Sequence, residues 1–312
     1  MSAKARYHDF CRTAPDVPVF SQPWYLDACA EDGAWNVVLA EEKGRVVAAL
    51  PFFYKQKGPF RYVTMPPFLK WLGPYLLPDF RGRLPQEHEL MQVLIAQLPP
   101  VAAFKQNFYP TITNWLPFYW QQFRQTTFYT YRLHSLRDLA RVEAGLGTGI
   151  RRDIRQARQQ VRVVHDLPLE EFYRVNLLSF RRQGLPAPYS MAQFQRLDAA
   201  LAATSARQFF FAVDEQNRVH SVAYLIWDAT TAYFLLAGDD PALRTSGAGV
   251  LLAWECIRYA SEVLGLDCFD FEGSMLPGVE RIRVRFGAVQ TPYFYVWKHN
   301  SRLFELLEKL KP

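Results

Sequence analysis

Cysteine is scarce in this chain: only Cys11, Cys29, Cys256 and Cys268 occur in 312 residues. They stand apart, with no C-x-x-C pair and no histidine cluster beside them. That excludes a disulfide frame and a structural zinc site, and it points to reduced thiols in a cytoplasmic protein. The histidines (His8, His88, His134, His165, His220 and His299) are dispersed without metal-ligand spacing, so no metal is expected, and no Ser-His-Asp arrangement is visible along the chain. No uninterrupted apolar run approaches the roughly 20 residues needed to span a bilayer. The opening MSAKARYHDF lacks the apolar core of a signal peptide. A cytoplasmic location is expected, with peripheral membrane contact left open.

What is present is apolar and aromatic. Hydrophobic residues make up 50% and aromatics 15%, against 21% charged, a globular composition with enough chain for one large or two ordinary domains. The net charge of +6 favours anionic partners mildly: nucleic acid, an acidic membrane surface or a phosphorylated cofactor.

Periodicity predicts a short helix within 20–32, and strands Trp35–Leu39 and Val46–Tyr54 around a polar turn. A helix over Glu87–Leu98 and an aromatic segment Phe104–Leu133 follow. Ile150–Val163 carries Ile150, Ile154, Ala157 and Val161 at helical spacing, with Arg151, Arg155, Arg158 and Arg162 in a parallel stripe. Helices over Leu169–Gln183 and Met191–Ala203 precede strands Gln208–Val213, Val219–Trp227 and Thr231–Ala237. A helix Gly249–Leu264, a strand Asp267–Phe271, a basic helix near Val279–Phe286 and a strand Pro292–Trp297 complete the chain. The two halves share a leading helix, a hairpin, a Pro/Gly loop and a helix, which predicts related domains over 1–140 and 141–312.

The sharpest feature is the segment GDDPALRTSGAGV between the strand AYFLLA and the next helix. Arg244, Gly247 and Gly249 form R-x-x-G-x-G, a turn that presents bare backbone N–H groups at a helix N-terminus to an anion. Arg244, Thr245, Ser246, Gly247, Ala248, Gly249 and Val250 are the candidate phosphate-binding residues; a plain turn before a helix is the bland alternative. The matching loop in the first half, PDFRGRLPQEHEL, has one glycine, and Glu87 and Glu89 there would repel an anion.

The order of elements over 169–298, with R-x-x-G-x-G after the third strand, resembles the GNAT acyltransferase fold. The arginine-rich IRRDIRQARQQVRV and the stretch CFDFEGSMLPGVERIRVRFGA resemble the FemAB-like branch. The resemblance implies an α/β protein of two tandem GNAT-like domains, each a mixed, largely antiparallel sheet flanked by helices. It implies acetyl-CoA or another acyl-CoA as co-substrate at the glycine turn, and a small-molecule or peptide amine as acceptor. It places Arg283, in a position where the family usually has Phe-Lys, near the reacting groups. The helical insertion of many cell-wall transferases is absent, since Leu133 to Pro168 leaves room for little more than one helix.

Asp270 and Glu272 fall two apart on a predicted strand, facing one way, and either could take a proton from an attacking amine; pairing with Arg281, Arg283 or Arg285 is the alternative. Arg283 keeps its proton at ordinary pH, so its role is charge stabilisation. The helix VERIRVRF has no tyrosine to protonate a leaving thiolate, and Tyr233, Tyr293 and Tyr295 are substitutes at best, each read first as a half-buried strand aromatic. The arginine stripe, with Arg181 and Arg182, could grip tRNA or lipid phosphates or be a solvated face. N-acyltransfer from acyl-CoA to an amine is the leading expectation, with no stable protein partner. The alternatives are a FemAB-type aminoacyl-tRNA-dependent transferase acting on a peptidoglycan precursor, with tRNA as partner, and a non-catalytic GNAT-fold binding protein.

Overall fold

The computed structural model describes residues 1–310, which fold as two compact units: Met1–Phe128 together with the chain from Pro292 onward, and Tyr129–Thr291. The first unit contains α1 (Ala3–Thr13), α2 (Pro23–Cys29), β1 (Ala34–Glu42), β2 (Arg45–Lys57), β3 (Phe60–Thr64), β4 (Tyr75–Leu76), α3 (Leu84–Ala96), β5 (Ala103–Asn107) and α4 (Leu116–Trp120). Strand β6 (Arg124–His134) leads into the second unit, which holds α5 (Leu139–Gly145), α6 (Thr148–Ala157), β7 (Arg162–Val164), α7 (Leu169–Arg182) and α8 (Met191–Ala203). It continues through β8 (Arg207–Val213), β9 (Val219–Trp227), β10 (Thr231–Asp239), α9 (Ala248–Glu262), β11 (Cys268–Asp270) and α10 (Pro277–Arg285). Strand β12 (Val289–His299) and α11 (Arg302–Lys309) return to the first unit.

In the first unit, β1 and β2 form the expected hairpin, paired from Ala34 with Tyr54 to Glu42 with Arg45. β12 pairs antiparallel with β5, from Tyr295 with Asn107 to His299 with Ala103, which ties the C-terminal segment to this unit. The expected boundary at 140/141, with all later residues in the second domain, therefore differs from the observed division at both ends. The reason is local: the division falls inside β6, where no turn residue marks it, and strand pairing recruits a segment from the far end of the sequence.

The second unit runs β6-β11-β10-β9-β8-β7. All neighbours are antiparallel except β10 and β11, which run parallel from Thr231 with Cys268 to Tyr233 with Asp270. A parallel pair needs a crossover, and α9 supplies it. α9 turns Leu251, Leu252, Trp254, Cys256, Ile257 and Ala260 inward. α8 opens with a capping box in which Ser190 and Gln193 exchange hydrogen bonds, so its first turn is satisfied. On α7, Phe172 is fully buried, its ring 5.3 to 6.4 Å from those of Phe194, Phe209, Phe211 and Tyr224.

Two sequence expectations give way to sheet formation. The helix predicted over Ile150–Val163 stops at Ala157, because Arg162–Val164 pairs with β8 as an edge strand; Arg162 thus leaves the arginine stripe. The strand predicted over Asp267–Phe271 covers only Cys268–Asp270. Between Leu133 and Pro168 lie two short helices, α5 and α6, rather than one. Among the described residues, no helix is long and apolar enough to cross a membrane.

Phe172→Ala empties the centre of the aromatic cluster and is expected to cost about 3–5 kcal/mol. Chemical denaturation of the second unit measures this; a loss below 1 kcal/mol would mean the neighbouring rings collapse into the space.

Candidate active site

The second unit builds its site where β10 ends and α9 begins. The β10–β9 register slips between Phe234 and Leu236, so Leu235 is an extra residue that bends the strand. Asn176 on α7 anchors the strand's end, its Nδ2 donating to the Ala237 carbonyl at 2.8 Å. A single 3-10 turn, Arg244–Ser246, follows, and Gly247 adopts φ +75°, the left-handed conformation that costs glycine least. α9 starts directly after it.

The seven turn residues divide by exposure. Arg244 and Thr245 are exposed, Gly247, Gly249 and Val250 are half-buried, and Ser246 and Ala248 are buried. Val250 and Leu251 already donate to the Gly247 carbonyl, at 3.1 and 3.2 Å. The donors left near an approaching anion are those of Ala248, which reaches Ser246 Oγ only at 3.4 Å, and Gly249. A Cβ at Gly249 would stand 2.6 Å from Asp239 Oδ1, so a side chain there would have to push that carboxylate aside. Asp239 accepts from Ser221 Oγ at 2.8 Å, and the Arg244 guanidinium, 3.8 Å away, offsets its charge. The turn thus offers two backbone donors, with one carboxylate and one arginine at its edge.

Ser246 is turned inward by a hydrogen-bond chain whose members lie too far apart in sequence to be read together. His220 Nδ1 lies 3.0 Å from Ser246 Oγ, and His220 Nε2 lies 3.0 Å from Asp214 Oδ2. This corrects the expectation that no Ser-His-Asp arrangement exists. All three side chains are buried, and Asp214 is further held by Arg218 and by the backbone N–H groups of Gln216 and Arg218. Burial raises the Asp214 pKa, but the hydrogen bonds from His220 and Arg218 outweigh it and hold the carboxyl below the usual range. With its serine closed off from solvent, the chain positions the turn rather than attacking a substrate.

In the first unit the corresponding loop satisfies itself. The Gly82 N–H donates to Glu87 Oε1 at 2.6 Å, so a side-chain carboxylate stands where an anion would have to bind.

The two candidate carboxylates separate sharply. Asp270 is wholly buried and accepts from Thr130 Oγ1, from Arg132 Nε at 2.6 Å and from the Glu272 N–H at 2.8 Å. Its arginine partner is therefore Arg132 on β6, not Arg281, Arg283 or Arg285. Glu272 lies beyond the strand at φ +59°, a conformation rare for a side-chain-bearing residue, and it is 4% exposed. The two side chains therefore do not share a strand face. The Arg283 guanidinium stacks over Phe271 at 4.7 Å and Phe234 at 5.3 Å, and its buried Nε has no hydrogen-bond partner among the described residues. Burial lowers its pKa to about 10, with Glu272 and Asp270 pulling the other way, so it stays charged at neutral pH. Asp270, Glu272 and Arg283 are thus brought together around Phe271.

The tyrosines disperse. Tyr233 is buried with its hydroxyl donating to Asp228 at 2.9 Å, while Tyr293 and Tyr295 pack in the first unit against Trp71 and Phe128.

Residues 147–281 match the family described as acetyltransferase (GNAT) domain. No curated protein matches the chain. Among solved structures, FemX is similar over 98% of both chains, with TM-score 0.72 and 12% identity. A tandem GNAT protein from the clavulanic acid biosynthesis pathway is similar over 95% of this chain and 94% of its own, at TM-score 0.52 and 13% identity. L-PGS from Bacillus licheniformis is similar over 91% and 89%, at TM-score 0.54 and 10% identity. The chain has a tandem GNAT fold.

Arg132→Met leaves the Asp270 charge buried without its cation and is expected to destabilise the second unit by about 3–5 kcal/mol. Thermal and denaturant unfolding read this; a neutral substitution would show that water or Thr130 alone satisfies Asp270.

Proposed function

We propose that this chain, a GNAT-superfamily protein with the FemAB-like tandem fold, is an N-acyltransferase that moves an acyl group from acyl-CoA to the amine of a small molecule or peptide. The observation that carries this reading is the glycine turn: left-handed Gly247, and Gly249 packed against the Asp239 carboxylate, with exposed Arg244 and Thr245, at the start of α9. The backbone N–H groups of Ala248 and Gly249, with Arg244 and Thr245, would hold the pyrophosphate on the turn that Gly247 makes, while Ser246 and Val250 support it from within. The thioester supplies an activated acyl carbon.

Glu272 is the residue assigned to the proton. It accepts the proton released as the amine nitrogen bonds to the acyl carbon and the carbon–sulphur bond breaks, directly or through one water. Asp270, engaged with Thr130, Arg132 and the Glu272 N–H, positions Glu272. Arg283, held over Phe271, stabilises the negative charge that develops during transfer. The leaving thiolate takes its proton from solvent in this scheme, as α10 carries no tyrosine.

A second reading keeps the fold and uses aminoacyl-tRNA as donor for a peptidoglycan precursor. It is favoured by a cleft of about 390 Å³ lined by Arg151, Arg155 and Arg158 together with Glu143 and Trp254. Arg158 is partly engaged by Glu255 at 2.9 Å, whereas Arg151 and Arg155 are exposed. A non-catalytic binding role is the third outcome.

Calorimetric titration of acetyl-CoA, longer acyl-CoAs and a charged tRNA separates these readings, using wild type, Gly247→Glu and Arg244→Ala. The first reading expects CoA binding that Gly247→Glu abolishes and Arg244→Ala, which leaves the backbone turn unstrained, weakens by about tenfold. Salt-sensitive tRNA binding without CoA binding would overturn it in favour of the second, and binding of neither would favour the third. Glu272→Gln is expected to lower kcat by about 10²–10⁴ with little change in CoA affinity; an unchanged kcat would remove Glu272 from the proton transfer.

A further inference from the structure

Helix α11 turns most of its apolar residues towards solvent. Of RLFELLEK, Phe304 is buried, its ring 5.3 Å from Phe60 and 5.0 Å from Tyr62. Leu303, Leu306, Leu307 and, at the C-cap, Leu310 are 58, 55, 45 and 71% exposed. The spacing i, i+3, i+4, i+7 sets them along one helix face, so the exposure is a continuous stripe. Scattered surface leucines need no explanation, but a stripe does.

The acids beside it are already paired. Glu305 is paired with Lys309 at 2.9 Å, and Glu308 is held by His299 at 2.9 Å and by Lys105. Arg302 and Lys57 are exposed and pair with no acid among the described residues. Lys57 and the paired Glu308 also line a pocket of about 500 Å³ whose other walls include Phe60, Tyr62, Phe304 and Leu307. Leu307 thus belongs to both the stripe and the pocket, which makes the two a single apolar surface with cations at its border.

We propose that this surface docks the protein on an anionic membrane. The leucine stripe lies at the level of the head groups, the aromatic-floored pocket takes an acyl chain, and Arg302 and Lys57 meet lipid phosphates. A helix this short binds reversibly, and it needs the apolar and the electrostatic contribution together. The inference rests on the first unit alone and does not depend on the acyl-transfer reading.

Co-sedimentation of the full chain with vesicles tests it, using phosphatidylcholine alone and an equal mixture with phosphatidylglycerol. Binding is expected to the mixed vesicles, weakened by salt and about tenfold lower on phosphatidylcholine. Leu306→Glu with Leu310→Glu, at exposed positions outside the core, should reduce it by about tenfold or more at unchanged Tm. Absence of binding to the mixed vesicles, or equal binding by the double variant, would overturn the proposal. So would a solution dimer that Leu306→Glu dissociates, since a second copy would then cover the stripe. CoA titration of the same preparations is independent of all these outcomes, so failure here and failure of the transferase reading are told apart.

Discussion

The buried carboxylate of Asp270 is the constraint on which the candidate site depends. It ends β11, the strand that runs parallel to β10 on one side and antiparallel to β6 on the other. Taking a carboxylate out of water is costly unless its lone pairs are filled, and here Thr130, Arg132 and the Glu272 N–H fill them. The last of these bonds closes the chain into the left-handed turn at Glu272. That turn breaks the strand alternation and delivers Phe271 to the guanidinium of Arg283. One satisfied charge thus orders two strands, one strained residue and one cation.

A second buried polar network does similar work under the glycine turn. Asp214, His220 and Ser246 form a chain closed off from solvent, and it holds the middle of the turn while Arg244 and Thr245 face outward. Pre-organisation matters in such a site, because an anion bound by backbone N–H groups gains little if the loop must first be ordered. The first unit illustrates the opposite case: its loop spends the Gly82 N–H on the carboxylate of Glu87. The two loops differ in whether an internal carboxylate already takes up the backbone N–H groups.

The sequence was legible where physics is local. Strand Thr231–Asp239, the glycine turn and helix Ala248–Glu262 follow from apolar runs interrupted by Gly247 and Gly249. The self-defeating acids of the first loop were also readable, because Glu87 lies a few residues from the N–H it satisfies. The partner of Asp270 was not: Arg132 lies 138 residues earlier, and nothing near Asp270 favours it over Arg281, Arg283 or Arg285. His220 looked isolated for the same reason, its partners being assembled by β9 and the turn. The first-unit boundary was hidden because the chain passes it inside a strand, without a glycine or proline to mark it.

What the sequence by itself determined was the supply of parts: an anion-sized turn, two carboxylates and a basic residue after them. Composition and spacing settle these because each rests on neighbours within a turn or two. What only the tertiary structure decided was the division of labour among them. Strand pairing chose which carboxylate is buried as an anchor and which is left at the strained bend. The β12–β5 pairing carried the C-terminal segment back to the first unit and left the leucines of α11 facing solvent. Those choices depend on desolvation and register across distant segments, and no local pattern encodes them.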